Sequence, residues 1–188
     1  MSMIQNKSFV YCAALIALMA ATRMHHFGSA MHLPDASLAV FLLAGFLVAS
    51  PLLFGALLLE AGLLDYVAVA HMGVSDYCVT SAYWFLIPTY AVLWVAGRAY
   101  AKHHQDTLRS LGLFSVISFA AVSAAFFMSN GAFYLFSGRY PDMNMSEYAS
   151  RVAQYYLPYV TSAAIYLVPA VLLYVVFKLG TNQAKHAG

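Results

Sequence analysis

Long apolar runs broken by short polar intervals dominate the chain. The pattern predicts six membrane-spanning helices, near residues 8–22, 37–52, 54–71, 79–97, 110–130 and 152–178. Ser50-Pro51 separates the second and third runs by no more than a turn, so these two are expected to form a helical hairpin. Asn144, with Glu147 three residues later, reads as the capped start of the sixth helix. From there Tyr148, Arg151, Tyr155 and Tyr159 recur at spacings of three and four, which aligns them on one helix face. The first run ends Ala20-Ala21-Thr22-Arg23, a poor cleavage site, and is read as a membrane helix rather than a leader.

Composition agrees with this reading. Of 188 residues, 63% are hydrophobic and 9% are charged, far too few charges to cover a water-soluble domain. Six spans nearly exhaust the length, so residues 1–188 are expected to form one all-α integral membrane domain. A net charge of +2 offers no basic patch, which excludes nucleic acid as a partner and leaves the lipid bilayer. Lys7, Arg98, Lys102, Arg109, Lys178 and Lys185 fall on one face of the predicted topology; Arg23, Arg139 and Arg151 fall on the other. The cationic side is the cytoplasmic one, so both termini are expected in the cytoplasm and the loops at 23–36, 72–78 and 131–151 outside.

Those outward loops hold most of the chemistry: His25, His26, His32, Asp35, Asp65, His71, Asp76, Cys78, Tyr83, Trp84 and the 137–148 loop. Loop histidines are ordinarily solvated, and Tyr and Trp near helix ends form an interfacial belt. Asp65 is different. It lies well inside the third span, where an ionised carboxylate needs a partner, and Arg151 or His26 is the expected one. Glu60 lies one and a half turns deeper, with no partner evident from the sequence. Cys12 and Cys78 lie near opposite membrane faces, too far apart for a disulfide. A lone outward thiol beside Asp76 and His71 suggests a protected ligand or reactive group, suited to one axial position on a metal whose other ligands arrive with a cofactor. Ala13, Ala17 and Ala21 form a small-residue stripe on the first helix, of the kind that lets membrane helices approach closely.

Six short spans, the alanine stripe and an outward binding face together resemble the substrate-binding S-component of an energy-coupling-factor (ECF) vitamin transporter. More narrowly, His25-His26-Phe27-Gly28 through Leu33-Pro34-Asp35-Ala36-Ser37, with the Cys78-centred entry to the fourth helix, resembles the BtuM family of cobalamin proteins. The resemblance runs from about residue 8 to 178. It implies uptake of cobalamin across the bacterial inner membrane, with cobalamin as transported substrate and no free metal ion. Cys78 would be the axial ligand to cobalt and would assist removal of cyanide from cyanocobalamin. His26, Asp65, Tyr83 and Arg151 would surround it, with Tyr148 and Tyr155 on the sixth helix adding hydrogen bonds. A nearby imidazolium or Arg151 would lower the thiol pKa. The alanine stripe would be the docking face for an ECF module, in a family of which some members are thought to work without one.

The main rival is a divalent cobalt or nickel permease using His25, His26, His32, Asp65 and His71. A haem-binding electron carrier is disfavoured because the histidines cluster at helix ends. No His-Glu-x-x-His, Gly-x-Ser-x-Gly or phosphate-cradling Gly-Lys-Ser/Thr sequence occurs, so intramembrane hydrolase chemistry and P-loop ATP hydrolysis find no support in this chain.

Overall fold

The computed structural model describes the backbone of residues 3–23, 33–142 and 144–186, and within these stretches the side chains from 7 to 178. Six α-helices follow one another: α1 (Met3–Arg23), α2 (Ser37–Leu47), α3 (Pro51–His71), α4 (Leu86–Ala101), α5 (Leu108–Phe136) and α6 (Met145–His186). Two 3₁₀ turns, Asp76–Cys78 and Ser81–Phe85, lead from α3 into α4. No strand occurs among the described residues. Three segments are long and apolar enough to cross a membrane: α3, α5 and Met145–Lys178 of α6.

Local chemistry sets the helix ends, and it moves several of them from where hydropathy alone puts them. α2 stops at Leu47 rather than near 52. Ala49 turns the chain with a φ of 53°, and Ser50 is extended, as the residue before a proline prefers. Ser50 then caps α3, accepting the Leu53 N–H at 3.4 Å, with Pro51 in the first turn where a missing N–H is harmless. The expected hairpin is therefore present. α4 starts at Leu86 rather than near 79, because Thr80 caps the tighter 3₁₀ turn that precedes it. α6 starts at Met145, ahead of the apolar run that begins near 152: Asn144 Oδ1 accepts the Glu147 N–H at 2.9 Å, the cap expected from the sequence. Pro158 and Pro169 lie inside α6, each removing one helical hydrogen bond from its interior.

Hydrogen bonds show that successive helices alternate in direction. The C-terminal parts of α1 and α3 meet the N-terminal parts of α2 and α4 at one end, through Arg23, Asp65, Ser37 and Tyr90. At the other end Tyr100 at the close of α4 meets Ser110 at the start of α5, and His104 meets Tyr174 far along α6.

The centre of the bundle is the crossing of α2 and α4. A Cβ placed on Gly45 would lie 2.0 Å from the Trp94 carbonyl oxygen, and one on Gly97 would lie 2.0 Å from the Leu42 carbonyl oxygen. Only hydrogen fits at either position, so the two backbones lie in direct contact, as membrane helices do at small residues. Phe41 stacks on Tyr90 across the same interface, with ring centroids 4.2 Å apart. Ala13, Ala17 and Ala21, by contrast, are exposed, so the stripe on α1 takes no part in packing the core.

Candidate functional site

Arg23 organises one end of the bundle. It closes α1, is only 2% exposed, and with Asp65 makes up the buried charged residues among those described. The pair is bidentate: Arg23 Nε donates to Asp65 Oδ1 at 2.9 Å and Nη2 donates to Oδ2 at 2.7 Å. The planar guanidinium matches both carboxylate oxygens at once, an arrangement that fixes α1 against α3 in orientation as well as distance. Nη1 donates to Ser37 Oγ at 2.7 Å, to the Tyr90 hydroxyl at 2.8 Å and to Asp35 Oδ2 at 3.2 Å. Asp35 in turn accepts from both the backbone N–H and the hydroxyl of Ser37. One guanidinium thus ties together α1, α2, α3 and α4.

Of the two partners expected for Asp65, His26 lies outside the described residues and Arg151 does not reach the carboxylate; the Arg151 guanidinium lies 4.7 Å over the Tyr140 ring and 3.5 Å from Glu147 Oε1. Arg23 takes that place because it is the last residue of α1, directed into the bundle, rather than the first residue of a solvated loop. It therefore drops out of the outward cation count, leaving Arg139 and Arg151. His25, His26 and His32 lie outside the described residues. Asp35, Ser37 and Tyr90 belong to the site although the sequence reading assigned them no role.

Tyr83 reaches Asp65 as well. Its hydroxyl donates to Asp65 Oδ2 at 2.6 Å, linking the 3₁₀ turn before α4 to the buried ion pair. Cys78 ends the other 3₁₀ turn and is exposed. Its thiol is pushed above its usual value, first by the desolvation it does experience, then by the negative charge of Asp65, with Arg139 partly opposing both. The lowering expected from Arg151 or an imidazolium is not the direction its described surroundings give, because desolvation acts first and Asp65 adds to it. His71 is also exposed, its ring set edge-on to Tyr66 with centroids 6.2 Å apart.

Around this mouth stands a wall of phenols and guanidiniums. The hydroxyls of Tyr77 and Tyr140 are 2.7 Å apart, joining the segment before Cys78 to the loop between α5 and α6. Arg139 lies 4.6 Å over the Tyr77 ring and donates to the Tyr77 carbonyl at 3.4 Å. Arg151 donates to the Tyr140 hydroxyl at 3.4 Å, while Tyr134 meets Tyr140 and Tyr148 edge-on at 4.9 and 5.3 Å. Tyr140 is pushed up to about 12, first because its hydroxyl is shared with Tyr77, then by desolvation. Tyr155 is exposed one turn beyond Arg151. Chemically, the mouth offers a soft thiol, several hydroxyl donors and acceptors, two cations and flat aromatic faces.

Two cavities lie elsewhere. One of about 450 Å³ opens at the opposite end, among Phe46, Tyr100, His104, Asp106, Tyr174 and Lys178. There Lys178 donates to Asp106 Oδ2 at 2.7 Å and Tyr174 donates to the other oxygen. The second, of about 240 Å³, is an apolar cleft between α5 and α6. No group of three or more potential metal ligands occurs among the described residues. No family model matches the chain, and no curated protein matches it.

Proposed function

We propose that this chain is a six-span protein of the bacterial inner membrane that takes up cobalamin, binding the corrinoid at the Cys78 end with both termini in the cytoplasm. The observation that carries this reading is an exposed thiol beside Tyr77 in sequence, at the end of an apolar helical bundle where Tyr77, Tyr140, Arg139 and Arg151 contact one another and Tyr83 reaches Asp65. A corrinoid is broad, nearly neutral and fringed with amides. It calls for flat apolar contact with many hydrogen-bonding groups at the rim, and for one soft axial donor at its centre.

In this reading the Cys78 thiolate takes an axial position on cobalt. In cyanocobalamin it displaces cyanide, which leaves with its electron pair while the thiol proton passes to water. Asp65 is a positioning residue. It holds Tyr83 at 2.6 Å and is itself fixed by Arg23, so the floor of the site is rigid while the rim is built on loops. The Tyr77–Tyr140 hydrogen bond spans the two loops that border Cys78, so it opens to admit a ligand of corrinoid size and closes again behind it. The exposed Ala13, Ala17 and Ala21 face is where an ECF module would dock if one is used.

The test is spectroscopic. Purified protein mixed with cyanocobalamin is expected to shift the visible corrin bands, and Cys78→Ala is expected to lose the sulfur-dependent part while keeping bound corrinoid. Identical spectra for the two proteins would remove the ligand assignment. Failure of both to retain any corrinoid would remove the substrate.

A further inference from the structure

The two cavities away from Cys78 have part of a wall in common. The apolar cleft of about 240 Å³ and the larger cavity of about 450 Å³ share Phe114 on α5 and Val171 on α6, so they adjoin as one groove along the seam between these helices. Both helices carry stretches long and apolar enough to cross a membrane. From Leu108 to Val122 the groove follows α5 for about 21 Å, more than the roughly 15 Å of hydrocarbon in one leaflet. Phe119, Val168 and Leu172 in its wall are each more than half exposed, so this part of the seam is open to whatever surrounds the bundle.

One end of the groove is polar. His104, Asp106, Thr107 and Lys178 stand in its wall where the chain turns from α4 into α5. His104 is held on both sides, with Nδ1 2.8 Å from the Tyr100 hydroxyl and Nε2 2.9 Å from the Tyr174 hydroxyl, which ties α4 to α6. Lys178 Nζ donates to Asp106 Oδ2 at 2.7 Å, and both side chains stay about half exposed. Tyr174 donates to the other Asp106 oxygen. These two bonds, that from Lys178 first, hold the Asp106 carboxyl below its usual value, so it is ionised at neutral pH. Thr107 caps α5 by accepting the Ser110 N–H at 3.2 Å, and the first turn of a helix leaves further N–H groups that favour an anion.

We propose that this groove is a phospholipid site that prefers a zwitterionic phosphoethanolamine headgroup, with an acyl chain lying in the cleft between α5 and α6. Charge complementarity chooses the headgroup. The phosphate meets Lys178 and the start of α5, and the ammonium at the far end of the same headgroup meets Asp106. A phosphoglycerol headgroup satisfies Lys178 equally, but it sets its phosphate beside the Asp106 carboxylate and offers that carboxylate only hydroxyls. A purely basic pocket between membrane helices selects anionic lipid; Asp106 reverses that choice here. Bound in the groove, the lipid braces α6 at the level of Pro169, where the helix lacks one of its own hydrogen bonds. The site lies at the end opposite Cys78 and depends on the membrane placement of α5 and α6, not on the corrinoid.

Native mass spectrometry of the full chain in detergent tests this, with palmitoyl-oleoyl phosphatidylethanolamine or phosphatidylglycerol of the same chains added after delipidation. The wild type is expected to retain one phosphatidylethanolamine, several-fold more often than phosphatidylglycerol at equal concentration. Asp106→Asn, which keeps the shape of an exposed side chain, is expected to lose that preference while still binding lipid. Ala164→Leu, which fills the apolar cleft, is expected to reduce retention of both lipids. Equal retention of the two lipids by the wild type, or a preference that survives Asp106→Asn, overturns the headgroup assignment. Undiminished retention by Ala164→Leu overturns the placement of the chain in the cleft. Retention of neither lipid by the wild type overturns the site, and a dimer under the same conditions would make the groove an interface between copies instead.

Discussion

Removing the Arg23 guanidinium is expected to be among the most damaging single changes in the bundle. Arg23→Met keeps an apolar stem of similar length but deletes the two bonds to Asp65, the bonds to Ser37 and Tyr90, and the contact with Asp35. Removing the guanidinium that a buried carboxylate is paired with costs about 3–5 kcal/mol, or roughly two to three and a half orders of magnitude in the unfolding equilibrium. Asp65→Leu is expected to cost less, because Arg23 keeps Asp35, Ser37 and Tyr90 and so stays paired and hydrogen-bonded. The double variant Arg23→Met/Asp65→Leu should therefore be no worse than Arg23→Met alone. That outcome corresponds to a coupling energy of roughly 1.5–3 kcal/mol between the two sites, the upper part of the range for residues in one network. Asp35 retains its bonds from Ser37 in every variant, so it adds no new unpaired group of its own. The assay is reversible unfolding in mixed micelles by titration with denaturing detergent, followed by the fluorescence of Trp84 and Trp94. Single-variant losses that simply add, within about 0.5 kcal/mol, would refute the claim that this pair acts as one unit.

Three further outcomes follow from other parts of the structure. Gly97→Ala should push α4 away from α2, since its methyl group would sit 2.0 Å from the Leu42 carbonyl oxygen; a loss of about 1–3 kcal/mol in the same unfolding assay is expected, whereas Gly55→Ala, with open space at its Cβ, should be tolerated. Tyr77→Phe removes the hydroxyl bridge to Tyr140 and should speed both association and dissociation of cyanocobalamin in stopped-flow absorbance, while unchanged rates would show that the bridge does not gate the mouth. The raised thiol pKa of Cys78 sets the direction of its pH dependence: the thiolate that ligates cobalt gains population as pH rises through and beyond 9, so the Cys78-dependent spectral shift should grow with pH. Arg139→Ala, which removes the cation opposing that shift, should move the dependence to still higher pH, and movement to lower pH would contradict it.

Much of the helical order was legible because it is written in local signals. Ser50-Pro51 and Asn144–Glu147 are caps whose chemistry needs no tertiary knowledge, and both form as expected. The start of α4 was misplaced because hydropathy reports where a chain is apolar, not where its backbone becomes helical; the start of α6 was read correctly from its cap, ahead of its apolar run. The need of Asp65 for a cation was clear from its place inside an apolar run. The identity of that cation was not, because an arginine following an apolar run has the same sequence signature as a solvated loop residue. The signal that would have found it was scarcity: Arg23, Arg139 and Arg151 are the arginines of that end, and Arg23 alone closes a helix packed on α3. Asp35 and Ser37 bond to each other at a spacing of two, but Arg23 alone joins that pair to Tyr90, which their own spacing does not reveal. Gly45 and Gly97 are single glycines in separate helices, and only their crossing shows why neither tolerates a side chain. The raised direction at Cys78 was not legible for a related reason: desolvation of the thiol, its first cause, and the charge of Asp65, its second, are both properties of the fold.

The central claim is that Cys78 supplies an axial ligand to a corrinoid at the mouth of this bundle. The most direct measurement is the visible spectrum of the purified protein with cyanocobalamin, compared with Cys78→Ala at the same pH. The account predicts retained corrinoid in both and a band shift only in the protein with the thiol. Corrinoid that binds with the same spectrum in both, or is retained by neither, would contradict it.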